Sequence, residues 1–73
     1  MDANKIVRQI LHKIGACRVT HRQNDSWHAM WHKHPHNHAS NGKYVLIGMT
    51  TGDAVAYLRN YNAWCWEQLK NIA

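Results

Sequence analysis

The sequence predicts an α+β domain in which a three-stranded antiparallel sheet carries two helices on one face. Apolar residues recur at helical spacing near the N-terminus, and residues 17–22 alternate as in a half-buried strand. The most β-branched run of the chain, "KYVLIGM", begins at Lys43. The predicted element order is α-β-β-β-α. With 73 residues, the chain has room for one small domain, spanning 1–73.

The first helix is predicted from about Asn4 to Ile14, and Gly15 follows where a left-handed residue would end it. The apolar stripe of this helix consists of Ile6, Val7, Ile10, Leu11 and Ile14. Its outer face carries Lys5, Arg8, His12 and Lys13. This basic face is either a solvated helix surface or a binding surface.

The segment "CRVTHR" predicts the first strand, and Asn24 and Asp25 suit a turn after it. The segment "WHAMWH" is predicted to form a second, antiparallel strand with Trp27, Ala29 and Trp31 on one side. In a helix, Trp27, Met30 and Trp31 would share a face instead. We expect the hairpin, because the first strand needs a partner.

Residues 32–42 are predicted to form an exposed, histidine-rich loop, because Pro35 cannot donate to a sheet and Asn41-Gly42 favours a turn. The run "KYVLIGM" is expected to be the central strand, with Leu46 in the core beside Ile10 of the first helix. Thr50 or Thr51 is expected to cap the second helix.

The second helix is predicted from about Gly52 to Asn71, with Asp53 at its positive N-terminal end. At 100° per residue, Trp64 and Trp66 lie near opposite edges of its core-facing stripe. Tyr57 and Tyr61 extend the edge that Trp64 occupies. These rings either pack over the first helix or anchor a partner, since Trp and Tyr are enriched at interface hot spots.

Double-stranded RNA-binding domains resemble this chain in element order and length. They carry a lysine cluster at the N-terminus of their second helix, where this chain has Asp53 in "TTGDAVAYLRNY" and no lysine. No binding residue of that family can therefore be assigned to a position here.

The chain is basic, with nine Lys and Arg against four Asp and Glu and a formal net charge of +5. The excess lies in residues 1–43, whose only acidic residues are Asp2 and Asp25. The basic residues of this half are Lys5, Arg8, Lys13, Arg18, Arg22, Lys33 and Lys43. A polyanion, or an acidic protein that works on one, is the expected partner.

The segment "WHAMWHKHPHNHAS" concentrates five of the seven histidines, which raises the possibility of a metal site. His28 and His32 would lie on the same side only in a helix. The histidines of residues 32–38, at every second position, would share a side only in an extended strand. The chain has no H-E-x-x-H motif and no acidic residue near these histidines to orient a ligand. We expect no functional metal site and no cofactor, and a loop that is either an ordinary polar loop or a recognition surface.

Neither Cys17 nor Cys65 lies in a nucleophile motif or a C-x-x-C pair, and the four acidic residues are scattered. No enzymatic activity and no small-molecule substrate are expected. The chain has no membrane-spanning apolar run, and "MDANKIVRQI" lacks the features of a signal peptide, so we expect a cytoplasmic protein without membrane contact.

In length, in basicity and in its stand-alone sequence beginning "MDANKIVRQI", the chain resembles small phage-encoded regulators that bind bacterial RNA polymerase. The resemblance implies a transcription regulator in the host cytoplasm that docks on this polymerase and alters initiation or termination sterically. The alternative is direct binding of RNA or DNA by the basic N-terminal half. The candidate partner-binding residues are Lys5, Arg8, His12, Lys13, Arg18, Arg22, Lys33, Trp64 and Trp66.

Overall fold

A computed structural model of the protein describes residues 2–72 and confirms the α+β class. Its helices are α1 (Ala3–Lys13), α2 (Thr51–Arg59) and α3 (Ala63–Leu69). Its strands are β1 (Arg18–His21), β2 (Trp27–Met30) and β3 (Tyr44–Gly48). A short 3-10 helix, His38–Ser40, lies in the loop between β2 and β3.

Local signals at the two ends of α1 explain its boundaries. The Asp2 carboxylate accepts hydrogen bonds from the backbone N–H groups of Asn4 and Lys5, which otherwise lack partners at a helix start. Gly15 follows the helix with φ of +107°, a conformation that favours glycine. The first helix therefore lies within one residue of its predicted position.

The three strands form an antiparallel sheet in the order β1-β2-β3, so the prediction that "KYVLIGM" is the central strand is wrong. The central strand is β2, which pairs Val19 with Ala29 on one side and Ala29 with Val45 on the other. β3 is an edge strand. Its apolar residues lie in two different environments, one on each face of the sheet.

One face of the sheet packs against the helices. Trp27 and Ala29 of β2 are fully buried there, Trp31 follows them into the core, and Val19 and Val45 pack at the margin of the same cluster. The helices contribute Val7, Ile10, Leu11, Ala54, Val55, Leu58, Cys65 and Leu69. Within residues 2–72, the opposite face carries no helix. Leu46 lies there and is 48% exposed, so its predicted place in the core is wrong and Ile47 is buried instead.

The predicted second helix is two helices. α2 begins after Thr50, whose hydroxyl accepts from the Asp53 N–H, as predicted for a capping threonine. The helix ends at Arg59, and the side chain of Asn62 caps α3 by accepting from the Cys65 N–H. Asparagine is among the best N-capping residues, so the break has a local cause that helical periodicity alone does not reveal.

Candidate binding surfaces

The predicted binding residues of α1 differ in how freely they project from the helix. All four, Lys5, Arg8, His12 and Lys13, are exposed. The Arg8 guanidinium, however, donates to the Val19 carbonyl over 3.0 Å and lies 5.7 Å from the ring centroid of Trp27. Arg8 therefore ties α1 to the sheet, and Lys5 and Lys13 are the cations of this face whose side chains make no ion pair or hydrogen bond with the described residues 2–72.

His12 has a similarly defined orientation. Its Nδ1 lies 2.9 Å from the Ala16 carbonyl oxygen, and because a carbonyl can only accept, Nδ1 is the nitrogen that carries the proton. This hydrogen bond holds the ring against the turn that ends α1, while the side chain as a whole stays exposed.

A groove of about 780 Å³, hereafter the helix groove, lies between α1 and α3. It is lined by Ile6, Gln9, Ile10, His12, Lys13, Trp64 and Gln68. Trp64 is 45% exposed, and none of the lining residues is acidic. The structure therefore brings together three predicted site residues, His12, Lys13 and Trp64.

Trp66 does not line the helix groove, although it is 51% exposed. Two residues apart on a helix correspond to about 200° of rotation, so Trp64 and Trp66 point in nearly opposite directions from α3. The prediction that Tyr57 and Tyr61 lie on the same edge of one helix as Trp64 is wrong. The break at Asn60–Asn62 turns those tyrosines toward the loop between β2 and β3, where the Tyr61 and His36 ring centroids are 5.2 Å apart.

The remaining predicted cations lie away from the groove. Arg18 begins β1 on the face of the sheet that carries no helix, and Arg22 follows β1 at an alternate position. Lys33 is exposed in the loop between β2 and β3. The predicted site residues are thus distributed over separate surfaces.

Most residues of the histidine-rich loop are exposed, but Ser40 and Asn41 are half-buried and His34 is only 4% exposed. Its Nδ1 accepts from the backbone N–H groups of His36 and Asn37 at 3.1 and 3.0 Å. Its ring packs edge-on against Trp31, with centroids 4.5 Å apart. Burial lowers the pKa of His34 below its ordinary value, and the nearby rings of His36 and His38 lower it further. His34 therefore anchors the loop as a neutral imidazole.

Within residues 2–72, no three His, Cys, Asp or Glu side chains are arranged to hold a metal ion. At His34, Nδ1 already accepts two hydrogen bonds, which removes that lone pair from coordination.

Sequence reasoning missed two sets of surface residues. Gln9 and Gln68 line the helix groove together with Ile6 and Ile10, which belong to the apolar stripe of α1. Tyr44 and Leu46 lie on the helix-free face of the sheet. Strict alternation along "YVLIG" would have placed these two residues opposite Val45 and Ile47, but a continuous apolar run hides that period.

No protein-family model, characterised protein or solved structure matches this chain. Among residues 2–72, no helix combines the length and the apolar character that crossing a membrane requires.

Proposed function

We propose that the protein is a non-enzymatic binding protein that docks through the helix groove on a large protein complex acting on nucleic acid. The observation that carries this proposal is the exposed indole of Trp64 in a groove where, among the described residues, the only charged or titratable lining residues are Lys13 and His12. A partly exposed tryptophan beside basic groups is a common anchor at protein interfaces.

The groove chemistry defines the complementary segment of the partner. Ile6 and Trp64 offer apolar contact area, and the amides of Gln9 and Gln68 offer hydrogen bonds. Lys13 favours a carboxylate nearby, and Lys5 on the same helix adds to the positive field. A segment with one large apolar side chain flanked by Asp or Glu fits this surface.

The resemblance to phage-encoded regulators makes bacterial RNA polymerase the first partner to test. A small domain bound to such a machine would act sterically, by occluding a surface that initiation or termination requires. This mode of action needs only affinity and position, and it suits a chain in which no catalytic group was predicted.

The test measures binding of the purified, nuclease-treated polymerase, with and without its promoter-recognition factor, to the immobilised protein. Trp64→Ala should weaken binding about 30-fold, the effect of losing roughly 2 kcal/mol at a hot spot. Trp66→Ala is the matched control, because it removes an equally exposed indole from the opposite side of α3. Equal effects of the two substitutions, or no binding by wild type, would contradict the proposal.

Charge reversal tests the electrostatic part of the proposal. Lys5→Glu combined with Lys13→Glu should slow association with the polymerase, and the difference from wild type should shrink as salt is raised. Arg8 is left unchanged because its guanidinium holds α1 against the sheet. An association rate equal to that of wild type at low salt would show that this basic face does not contribute.

Direct binding of RNA or DNA by the basic N-terminal half, which includes α1, is the second function predicted from the sequence. With Arg8 engaged by Val19, this helix offers Lys5 and Lys13 as free cations, fewer than phosphate-dominated binding usually uses. The nuclease treatment separates the two functions, because a complex that depends on nucleic acid is lost after it.

A further inference from the structure

The sheet face opposite the helices is uncovered in the described part of the chain, and we name it the open sheet face. Its residues are Arg18 and Thr20 of β1, His28 and Met30 of β2, and Tyr44 and Leu46 of β3. The strand register places them in two rows. Arg18, Met30 and Tyr44 form the first row, and Thr20, His28 and Leu46 form the second.

We propose that the open sheet face binds single-stranded nucleic acid. This inference goes beyond the proposed docking function, because it concerns different residues and does not require the helix groove. Its basis is the combination of an exposed aromatic ring, arginines and the absence of acidic side chains on one face of the sheet, among residues 2–72.

The charge of the open sheet face favours a polyanion. Arg18 lies on it, and Arg22 follows at the next alternate position beyond Thr20. The carboxylate nearest in sequence, Asp25, is held on the helix side by hydrogen bonds from the Thr51 N–H and hydroxyl. The other three acidic residues, Asp2, Asp53 and Glu67, belong to the helices or their caps. Phosphates on this face would therefore meet cations and no Asp or Glu side chain.

The aromatic group on this face selects unpaired bases. Tyr44 is 45% exposed and stands beside Met30, so its ring offers a flat surface on which a base can stack. In a duplex the base faces are already stacked on one another and cannot reach such a ring. With neighbouring strands about 4.8 Å apart, the three-stranded face spans roughly 10 Å.

Two polar atoms on the face lack partners within the fold. Within residues 2–72, the Thr20 hydroxyl oxygen and Nδ1 of His28 are buried and have no hydrogen-bond partner, and the strand register sets these two residues opposite each other. Buried polar groups normally have a hydrogen-bond partner, so a ligand that supplies one would account for these two unpaired atoms. A base edge lying over the second row could supply the hydrogen bonds after a small rotation of either side chain.

The test uses fluorescence anisotropy with mixed-sequence ten-nucleotide RNA and DNA strands and with the corresponding ten-base-pair duplexes, at low salt. Wild type should bind the single strands about tenfold more tightly than the duplexes. Tyr44→Ala should weaken single-strand binding about tenfold, and Tyr44→Phe should retain it, because stacking requires the ring and not the hydroxyl. The tighter of the RNA and DNA complexes identifies the natural ligand.

Arg18→Ala should reduce the slope of log affinity against log salt by about one, as expected for the loss of one phosphate contact. Trp64→Ala is the control, since it alters the helix groove and leaves the sheet intact. Circular dichroism establishes that each variant is folded. Equal binding of duplex and single strand, or unchanged affinity after Tyr44→Ala, would overturn the proposal. So would concentration-dependent dimerisation of the free protein that Tyr44→Ala abolishes, because the face would then serve a second copy of the chain.

Discussion

The imidazole of His21 stacks on the indole of Trp27, with ring centroids 4.1 Å apart and planes inclined by 9°. The edges of both rings are fixed by hydrogen bonds. His21 Nε2 donates to Asp25 over 2.6 Å, and Trp27 Nε1 donates to the Thr51 hydroxyl over 3.0 Å. Because Asp25 also accepts from Thr51, this cluster joins the β1–β2 turn to the start of α2.

Asp25 should make stability depend on pH in the acid range. Hydrogen bonds from His21 and Thr51 lower its pKa below the ordinary value of 3.8. A carboxyl with a lowered folded-state pKa stabilises the protein above the unfolded-state pKa, and this contribution is lost as pH falls through the folded-state value. Urea unfolding of wild type between pH 5 and pH 2.5 should show a falling midpoint.

Asp25→Asn should show a smaller fall across that range, because the titrating carboxyl is gone. Asparagine is the appropriate replacement, since residue 25 has φ of +71° and Asn tolerates that conformation. Equal acid sensitivity of the two proteins would assign the effect to other carboxyl groups.

His34 should make stability depend on pH in a separate range. Its pKa is lowered from 6.5, so the unfolded chain takes up a proton more readily than the folded one. The stability contribution is complete above about 6.5 and is lost as pH falls toward the folded-state pKa. Wild type should unfold at a lower urea concentration at pH 5 than at pH 7.5, and the hydrogen-exchange protection factors of the His36 and Asn37 amides should fall.

The matched control is His36→Asn, which removes an exposed histidine from the same loop. It should retain most of the difference in unfolding midpoint between pH 7.5 and pH 5, whereas His34→Asn should lose most of it. If both variants behave like wild type, His34 is not the responsible group.

Ile10 and Leu46 should differ sharply in their contribution to stability. Ile10 is 4% exposed within the core, and Ile10→Ala should lower the free energy of unfolding by about 2–5 kcal/mol. Leu46 projects from the open sheet face, so Leu46→Ala should cost less than about 1 kcal/mol. Chemical denaturation of both variants measures the difference. Similar losses would mean that Leu46 is covered in solution.

Gly48 and Gly52 should respond in opposite ways to alanine. A Cβ on Gly48 would lie 2.5 Å from the Ala54 backbone nitrogen, so Gly48→Ala must push the end of β3 away from α2 and should cost about 1–3 kcal/mol. At Gly52 the nearest atom is the Thr50 hydroxyl oxygen at 3.7 Å, and Gly52→Ala should stabilise the helix by about 0.4–1 kcal/mol. Thermal unfolding distinguishes the two, and a stable Gly48→Ala variant would contradict this close approach.

The amino-acid sequence by itself determined the features that depend on neighbours in the chain. The limits of α1, the Gly15 turn, the hairpin of β1 and β2 and the Thr50 cap follow from periodicity, backbone preference and short-range hydrogen bonds. These signals act within a few residues, so they can be recognised without knowledge of the fold.

Only the tertiary structure decided which surfaces these elements form. Because the helix is interrupted before Asn62, Tyr61 packs near the histidine-rich loop and Trp64 lies beside α1. Leu46 lies outside the core, on the sheet face opposite the helices. His34 is buried because Trp31 and Tyr61 meet around it. Each of these outcomes depends on contacts between residues distant in the chain. Whether a side chain is buried depends on all the helices, strands and loops that pack around it. Local sequence patterns do not reveal these tertiary contacts.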